Sequence, residues 1–353
     1  MPYQKNKNFY RLLQKVDACL KTGMPFSIYR KPLENKVKGV FQSGDKLKTA
    51  INFEEKGFVF APFDDNGAIV LIKADELAEV DFLPETKNIY TEVELKDSGK
   101  DFHIELIKKG LNEIKEGSLK KVVLSRKISR PVSSSPSLIF KNLLERYQNA
   151  FCYLFFHPQI GVWCGATPET LVQIKDRQLR TMALAATLPI KESSSPGWGS
   201  KEFEEQAMVT RYIKETLGSS LESIDIGELE SVKAGKLWHL KSTISGILSE
   251  KTSIKQVIDS LHPTPAVCGI PSKEAKSFIK NNEGYERTFY TGFLGELDLE
   301  KKRNIDLFVN LRCMKICDGM ASIFVGGGIT SASEPESEWT ETQNKSKTML
   351  SII

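Results

Sequence analysis

The chain has 353 residues, 40% of them hydrophobic and 27% charged, and a net charge of +4. That is ordinary globular composition with ample material for a large core. The 49 basic and 45 acidic residues form no aromatic-interleaved basic tract, so no nucleic-acid partner is expected, and the small positive excess suits an anionic metabolite.

The start, MPYQKNKNFYRLLQK, has no apolar leader core, and no run approaches the ~18 apolar residues of a membrane span, so a soluble, cytoplasmic protein is expected. Residues 1 to about 95 read as a helix followed by short strands, with GFVFAPF (57–63) and AIVLIKA (68–74) the clearest. Residues 101–117 have helical periodicity, with Ile104, Ile107, Leu111 and Ile114 on one face. Strands are predicted over 121–129, 150–157, 161–166, 170–175 and 179–187. A polar loop with glycine and proline follows at 191–200, then a helix over 201–217 and a strand over 237–248. LHPTPAVCGIP (261–271) reads as a rigid loop able to wall a pocket. A short helix precedes the strands FYTGFLGEL, IDLFVNLRCMKI and ASIFVGGG. Strands joined by short turns, without βαβ alternation, imply an α+β fold with large antiparallel sheets and helices packed outside. One catalytic unit over 1–353 is expected, with a variable part before residue 100.

The six cysteines (Cys19, Cys152, Cys164, Cys268, Cys313, Cys317) contain no CxxC pair and the four histidines are scattered, which argues against a zinc site. Chemistry concentrates in the last stretch, FVGGGITSASEPESEWTETQNKSK. Gly326, Gly327 and Gly328 allow a close backbone approach with free N–H groups for an anion. Glu338, Glu341 and Lys345 then share one helix face, a set able to hold a divalent cation beside an anionic group. Alone, such a face is ordinarily solvated surface. In KKVVLSRK, alternation puts Lys121, Val123 and Ser125 on one sheet face; a lysine there is most often an edge charge. The turn Thr-Pro-Glu places Glu169 beside the rigid Pro168. KEFEEQAMVTRYI sets Glu202 and Glu205 three apart on a helix. WHLKSTISG offers His239, and ERTFYTGF and VNLRCMKI supply Arg287, Tyr290 and Arg312. Arg312 is expected inside an apolar strand, where a guanidinium needs an anionic partner from protein or substrate.

Taken in order, KVVLSR, GATPE, ALAAT, the acidic helix, LWHL, LHPTPAV, RxxYxG, LR, GGGI and EWxExxxK resemble the chorismate-utilising enzymes from about residue 101 to the C-terminus. Within that family the chain is most similar to the isochorismate synthases. The resemblance implies one α+β domain with a buried, Mg2+-dependent site. By motif position it implies Glu205 and Glu338 as metal-ligating carboxylates, with Glu202 and Glu341 as second-sphere or water-mediated partners. Lys121 falls at the position of the base that activates water, and Glu169 at that of the general acid. A lysine base must shed its proton near neutral pH, which partial burial and a nearby cation favour, whereas Glu169 must keep its own. Tyr290, Arg312 and the amides of Gly326 and Gly328 fall where the family grips the enolpyruvyl carboxylate. Lys345 falls at a further substrate-side cation, and His239 at a positioning residue near the ring. Two departures stand out: Ala186 replaces the usual glycine, and Gly327 the usual alanine.

The family's ammonia-using members typically carry glutamine at the Lys121 position or can carry lysine at the Ala185 position, so the resemblance implies water as nucleophile here, and no glutamine amidotransferase subunit is expected. The expected activity is conversion of chorismate to isochorismate, feeding menaquinone or siderophore formation, by a monomer with no membrane partner. Salicylate synthase is the alternative, followed by anthranilate synthase component I and a silent chorismate-binding protein.

Overall fold

The computed structural model describes residues 6–64, 67–85, 95–190, 195–235, 237–300 and 303–353. The first four residues of the polar loop expected over 191–200 lie outside them. In chain order the elements are α1 (Lys7–Thr22), β1 (Phe26–Arg30), β2 (Lys36–Phe41), β3 (Lys48–Thr49), β4 (Gly57–Ala61), β5 (Val70–Lys73) and β6 (Glu76–Asp81). Next come α2 (Lys100–Glu116), β7 (Lys121–Pro131), α3 (Pro136–Arg146), β8 (Phe151–His157), β9 (Gly161–Thr167), β10 (Thr170–Lys175) and β11 (Gln178–Pro189). They are followed by α4 (Ser200–Leu217), β12 (Leu221–Ile226), β13 (Glu230–Ala234), β14 (Leu237–Leu248), α5 (Ile254–Leu261), β15 (Gly269–Ile270) and α6 (Ser272–Asn282). The chain ends with β16 (Phe293–Leu297), β17 (Asn304–Val309), β18 (Cys313–Cys317), β19 (Met320–Ile329) and α7 (Pro335–Leu350).

The strands form two antiparallel sheets. The first runs β15-β7-β19-β18-β9-β8-β1-β2-β6, and the second β12-β14-β11-β10-β17-β16-β4-β5-β3 with β13 paired to β14. The α+β architecture is thus the one expected. An aromatic layer closes the space between the sheets. Phe151 stacks on Phe308 at 4.1 Å, and Phe60 stacks on Phe289 at 4.4 Å and lies edge-on to Trp163. Strands such as β1 and β4 are buried on both faces, which is why FSIYR and GFVFA carry almost no polar alternation. Residues before 85 are built into both sheets. A second tie between the sheets is polar: Tyr29 donates to Glu296 at 2.5 Å, and the Lys31 ammonium bridges Glu296 and Asp306.

Helices cover the outer faces. α1 buries Phe9, Leu12, Leu13 and Val16, an i, i+3, i+4, i+7 stripe, against the first sheet, and ends at left-handed Gly23. α4 and α5 pack Val209, Ile213, Leu217 and Val257 on the second sheet. α2 differs from its expected face: its buried seam is His103, Leu106, Ile107 and Gly110, with Ile104, Leu111 and Ile114 half-buried. The reason is Gly110, which lets the helix backbone approach β7; a Cβ there would stand 3.2 Å from Val122.

Candidate active site

Two chain crossings between the sheets frame the site. β9 of the first sheet passes to β10 of the second through Thr167-Pro168-Glu169, and β17 of the second returns to β18 of the first through Asn310-Leu311-Arg312. The crossings are tied by backbone hydrogen bonds: Ala166 N donates to Arg312 O, and Val309 N to Glu169 O, both at 3.0 Å. Arg312 is therefore not inside a strand, as the apolar run suggested. It occupies the bend, with φ of 47°, because the chain must change sheets there.

Glu169 and Arg312 line a cavity of about 690 Å³ of empty space, together with Ala185 and Ala186 of β11, His239 of β14 and Tyr290. Glu205 of α4, Gly326 to Gly328 of β19, and Glu341 and Lys345 of α7 complete its polar wall, while Ala266 and Val267 of the proline-rich loop form part of the apolar one.

Glu169 is no surface turn residue: it is 4% exposed. Burial pushes its carboxyl up to about 8, against the pull of Lys121, Lys345 and Arg312, so it is largely protonated at neutral pH. Lys121 is no edge charge either. It begins β7, between β15 and β19, is fully buried, and places its ammonium 3.0 Å from Glu205. The backbone beside it is pinned by a buried pair. Glu283 accepts from Ser125 N at 2.7 Å and from Arg287, whose guanidinium also donates to Val123 O at 2.7 Å. Arg287 thus serves the scaffold.

Arg312 is buried, and burial lowers its pKa. It donates to His239 Nε2 at 3.1 Å and approaches Thr348 Oγ1 at 3.4 Å, but no carboxylate of the described residues stands at ion-pair distance. A desolvated cation lining a cavity without a paired anion marks a place for an anionic ligand. His239 Nδ1 lies 2.8 Å from Ala186 O, and burial followed by the charge of Arg312 holds the imidazole well below its ordinary pKa. Ala186 itself has φ of 61°, at an irregularity where β11 and β14 shift register between Ala185 and Leu188.

The three glycines meet side chains as well as the cavity. A Cβ on Gly328 would stand 2.5 Å from Glu205 Oε1, and one on Gly327 3.4 Å from Glu338 Oε2 and 3.6 Å from Glu341 Oε1. Carboxylates from two helices therefore gather over one strand. Gly326 O accepts from Lys345 Nζ at 3.0 Å, so the polar groups of Gly326 face away from β7. Those of Gly328, two residues on along the strand, do likewise. Beyond Phe324, the last residue β19 pairs with β18, these amides border the cavity.

Each carboxylate holds a lysine: Glu205 with Lys121, Glu338 with Lys201 at 2.6 Å, and Glu341 with Lys345 at 2.6 Å. Burial and then Glu341 raise the pKa of Glu338. Among the described residues no three acidic, His or Cys groups grip a single point as they stand. The donor set nevertheless suits a small hard cation: three carboxylates, two of them converging over Gly327. Glu202 stands apart from this group. It accepts from Gly199 N at 2.9 Å, capping α4, and lines an adjoining cavity with Lys201, Glu338 and Glu341. Lys201 had not been singled out, although it directly precedes Glu202; its partner lies 137 residues away, which sequence does not show.

The model of the chorismate binding enzyme family matches residues 71–353. The chain belongs to the chorismate-binding enzymes. Among its relatives, isochorismate synthase MenF of Escherichia coli is 30% identical over 259 residues, covering 70% of this chain and 59% of the relative. Isochorismate synthase DhbC of Bacillus subtilis is 30% identical over 267 residues, covering 69% and 65%. The chain thus matches about three fifths of these relatives' length. The DhbC crystal structure from Bacillus anthracis superposes with a TM-score of 0.80 at 24% identity, covering 96% of this chain and 99% of that one, which shows the shared fold. No helix among the described residues of this chorismate-binding enzyme is long and apolar enough to cross a membrane.

Proposed function

We propose that this chorismate-binding enzyme is an isochorismate synthase, converting chorismate to isochorismate by addition of water at C2 and loss of the C4 hydroxyl. The observation that carries the reading is Glu169, a cavity-lining carboxyl that burial raises to about 8 against the pull of Lys121. Exchange of hydroxyls across an allylic system needs one group that takes a proton and another that gives one. Lys121 Nζ accepts the proton of the attacking water, and the Glu169 carboxyl donates to the departing oxygen while the ring double bond moves. Reversal uses the same pair in exchanged roles.

Chorismate carries two carboxylates. Arg312, Tyr290 and the Gly326 and Gly328 amides suit the enolpyruvyl one, with His239 orienting Arg312. Lys345 adds a further positive charge near the substrate. Glu205, Glu338 and Glu341 would hold Mg2+, and Glu202 would support the cluster from outside; the cation, when bound, neutralises the ring carboxylate. Lys121 and Ala185 support water over ammonia as nucleophile, so the enzyme acts without an amidotransferase subunit, as a cytoplasmic monomer. Relatives named isochorismate synthase support the same reading.

The test is product identification with purified protein, chorismate and Mg2+, with and without ammonium. A mixture of chorismate and isochorismate is expected in both. Stoichiometric salicylate and pyruvate would replace the reading with salicylate synthase, and anthranilate formed with ammonium would overturn the choice of nucleophile.

A further inference from the structure

The three lysines that neutralise the carboxylate cluster are held differently. Lys121 has a side chain 1% exposed and belongs to a central strand. Lys345 is tied twice, to Glu341 at 2.6 Å and to Gly326 O at 3.0 Å. Lys201 sits in the first turn of α4 with 27% of its side chain exposed, and its ammonium bonds Glu338, itself 2% exposed. The carboxylates of Glu338, Glu341 and Glu205 all favour its charged form, outweighing the opposing effect of burial. Its ammonium therefore lies in the field of all three carboxylates that suit a cation. Behind it opens the adjoining cavity, about 820 Å³ of empty space lined by Glu202, Glu336 and Thr340 as well as Lys201. A side chain swung into that space would meet Glu202, which caps α4, and Glu336, which Lys100 pairs at 2.9 Å.

We propose that Lys201 is a built-in counter-ion that holds the cation locus of Glu338 and withdraws into the adjoining cavity when a divalent cation binds, so that it sets the metal affinity of the site. The proposal rests on the reading that Glu205, Glu338 and Glu341 hold the cation. Lys201 holds Glu338 Oε1 while Oε2 faces Gly327, and two cations on the two oxygens of one carboxylate stand close enough to repel each other. The apparent affinity is then the intrinsic affinity reduced by the fraction of molecules in which Lys201 has left. An ion pair to a buried carboxylate keeps that fraction small. Lys201 acts on the reaction through Glu338 and is a positioning residue.

The experiment uses the full chain and Mn2+, whose free-ion electron paramagnetic resonance signal reports binding without turnover. Titrations with Mn2+ alone, repeated with chorismate, compare the wild type with Lys201→Met, Lys201→Arg and Glu338→Gln. Lys201→Met is expected to bind Mn2+ at least about tenfold more tightly, Lys201→Arg like the wild type, and Glu338→Gln far more weakly. The melting temperature supplies a second readout: Lys201→Met should melt lower than wild type in EDTA and gain more on saturation with Mn2+. Equal Mn2+ affinity in wild type and Lys201→Met, with loss in Glu338→Gln, overturns the role of Lys201 and leaves the cation reading intact. Weaker binding by Lys201→Met also overturns the proposal, because the lysine would then be supporting the ion. Absence of Mn2+ binding in all four proteins, with and without chorismate, removes the cation reading and the proposal together.

Discussion

Arg312 donates to Nε2 of His239 across 3.1 Å, and because a guanidinium has no acceptor, the imidazole must offer a lone pair there. Its proton therefore rests on Nδ1 and goes to the carbonyl of Ala186. The histidine is a fixed neutral bracket, holding Arg312 through one nitrogen and the β11 backbone through the other. His239→Phe removes the acceptor from a charged donor, a loss of about 1.5–3 kcal/mol. Steady-state kinetics should show KM for chorismate rising by about tenfold or more, with a smaller change in kcat. A kcat limb titrating near 6.5 that vanished in the variant would contradict the neutral assignment.

The acid–base pair is tested by Lys121→Gln and Glu169→Gln. Each should lower turnover by about 10²- to 10⁴-fold, with folding by circular dichroism and chorismate binding retained. Near wild-type turnover in either variant would remove that residue from the mechanism.

Stability should also report on Glu169. Its folded-state value of about 8 lies above the ordinary 4.5, so folding takes up a proton between those limits. A raised carboxyl contributes stability that is whole below the lower value and is lost as pH rises through the upper one, at up to ~1.4 kcal/mol per pH unit. Glu169→Gln lacks that loss. The melting temperature of the variant minus that of the wild type should therefore increase from pH 5 to pH 8 and then level off. A flat difference would mean that Glu169 is ionised throughout.

Chelation provides the fourth test. EDTA should abolish turnover, Mg2+ should restore it, and neither Glu205→Ala nor Glu338→Ala should be rescued at Mg2+ levels that restore the wild type. Mg2+ and chorismate should each tighten the binding of the other, since linkage is reciprocal. Calorimetric titration with each ligand in the presence and absence of the other measures this, and turnover in EDTA would sink the assignment.

Away from the cavity, the Lys31 ammonium bridges Glu296 and Asp306, each 2% exposed. Lys31→Met should cost about 3 kcal/mol in urea denaturation, because it leaves Asp306 with only the Gln173 amide and Glu296 with Tyr29 and the more distant Lys38 at 3.7 Å. A change below about 1 kcal/mol, the range of exposed pairs, would show that water reaches them.

The ordered motifs made the fold family and the cavity wall legible, because Glu169, Arg312, Tyr290 and the glycine strand each carry a chemically unusual residue in an apolar setting. The sheet crossing was hidden, since VNLRCMKI reads as one unbroken apolar strand and a single residue at φ of 47° divides it. β12 and β13 escaped notice because LESIDI and ESVKA are largely exposed and lack a hydrophobic period. α3 did carry a signal: Ser135 caps it, with Pro136 in the first turn. Ala186 stands where a glycine is usual in the family. Its φ of 61° shows a backbone reason for the family's glycine, since a left-handed residue with a Cβ costs roughly 1–2 kcal/mol. Gly327 leaves room that an alanine would fill at ordinary contact with Glu338 and Glu341.

The paired crossings have a mechanical consequence. Glu169 and Arg312 ride on the two straps that join the sheets, and those straps are laced together at Ala166 and Val309. The gap a substrate must fill is therefore geared to the spacing of the sheets, which the Phe151–Phe308 stack props open like a spacer. Trimming that spacer would let Glu169 and Arg312 shift as one without touching a single polar group.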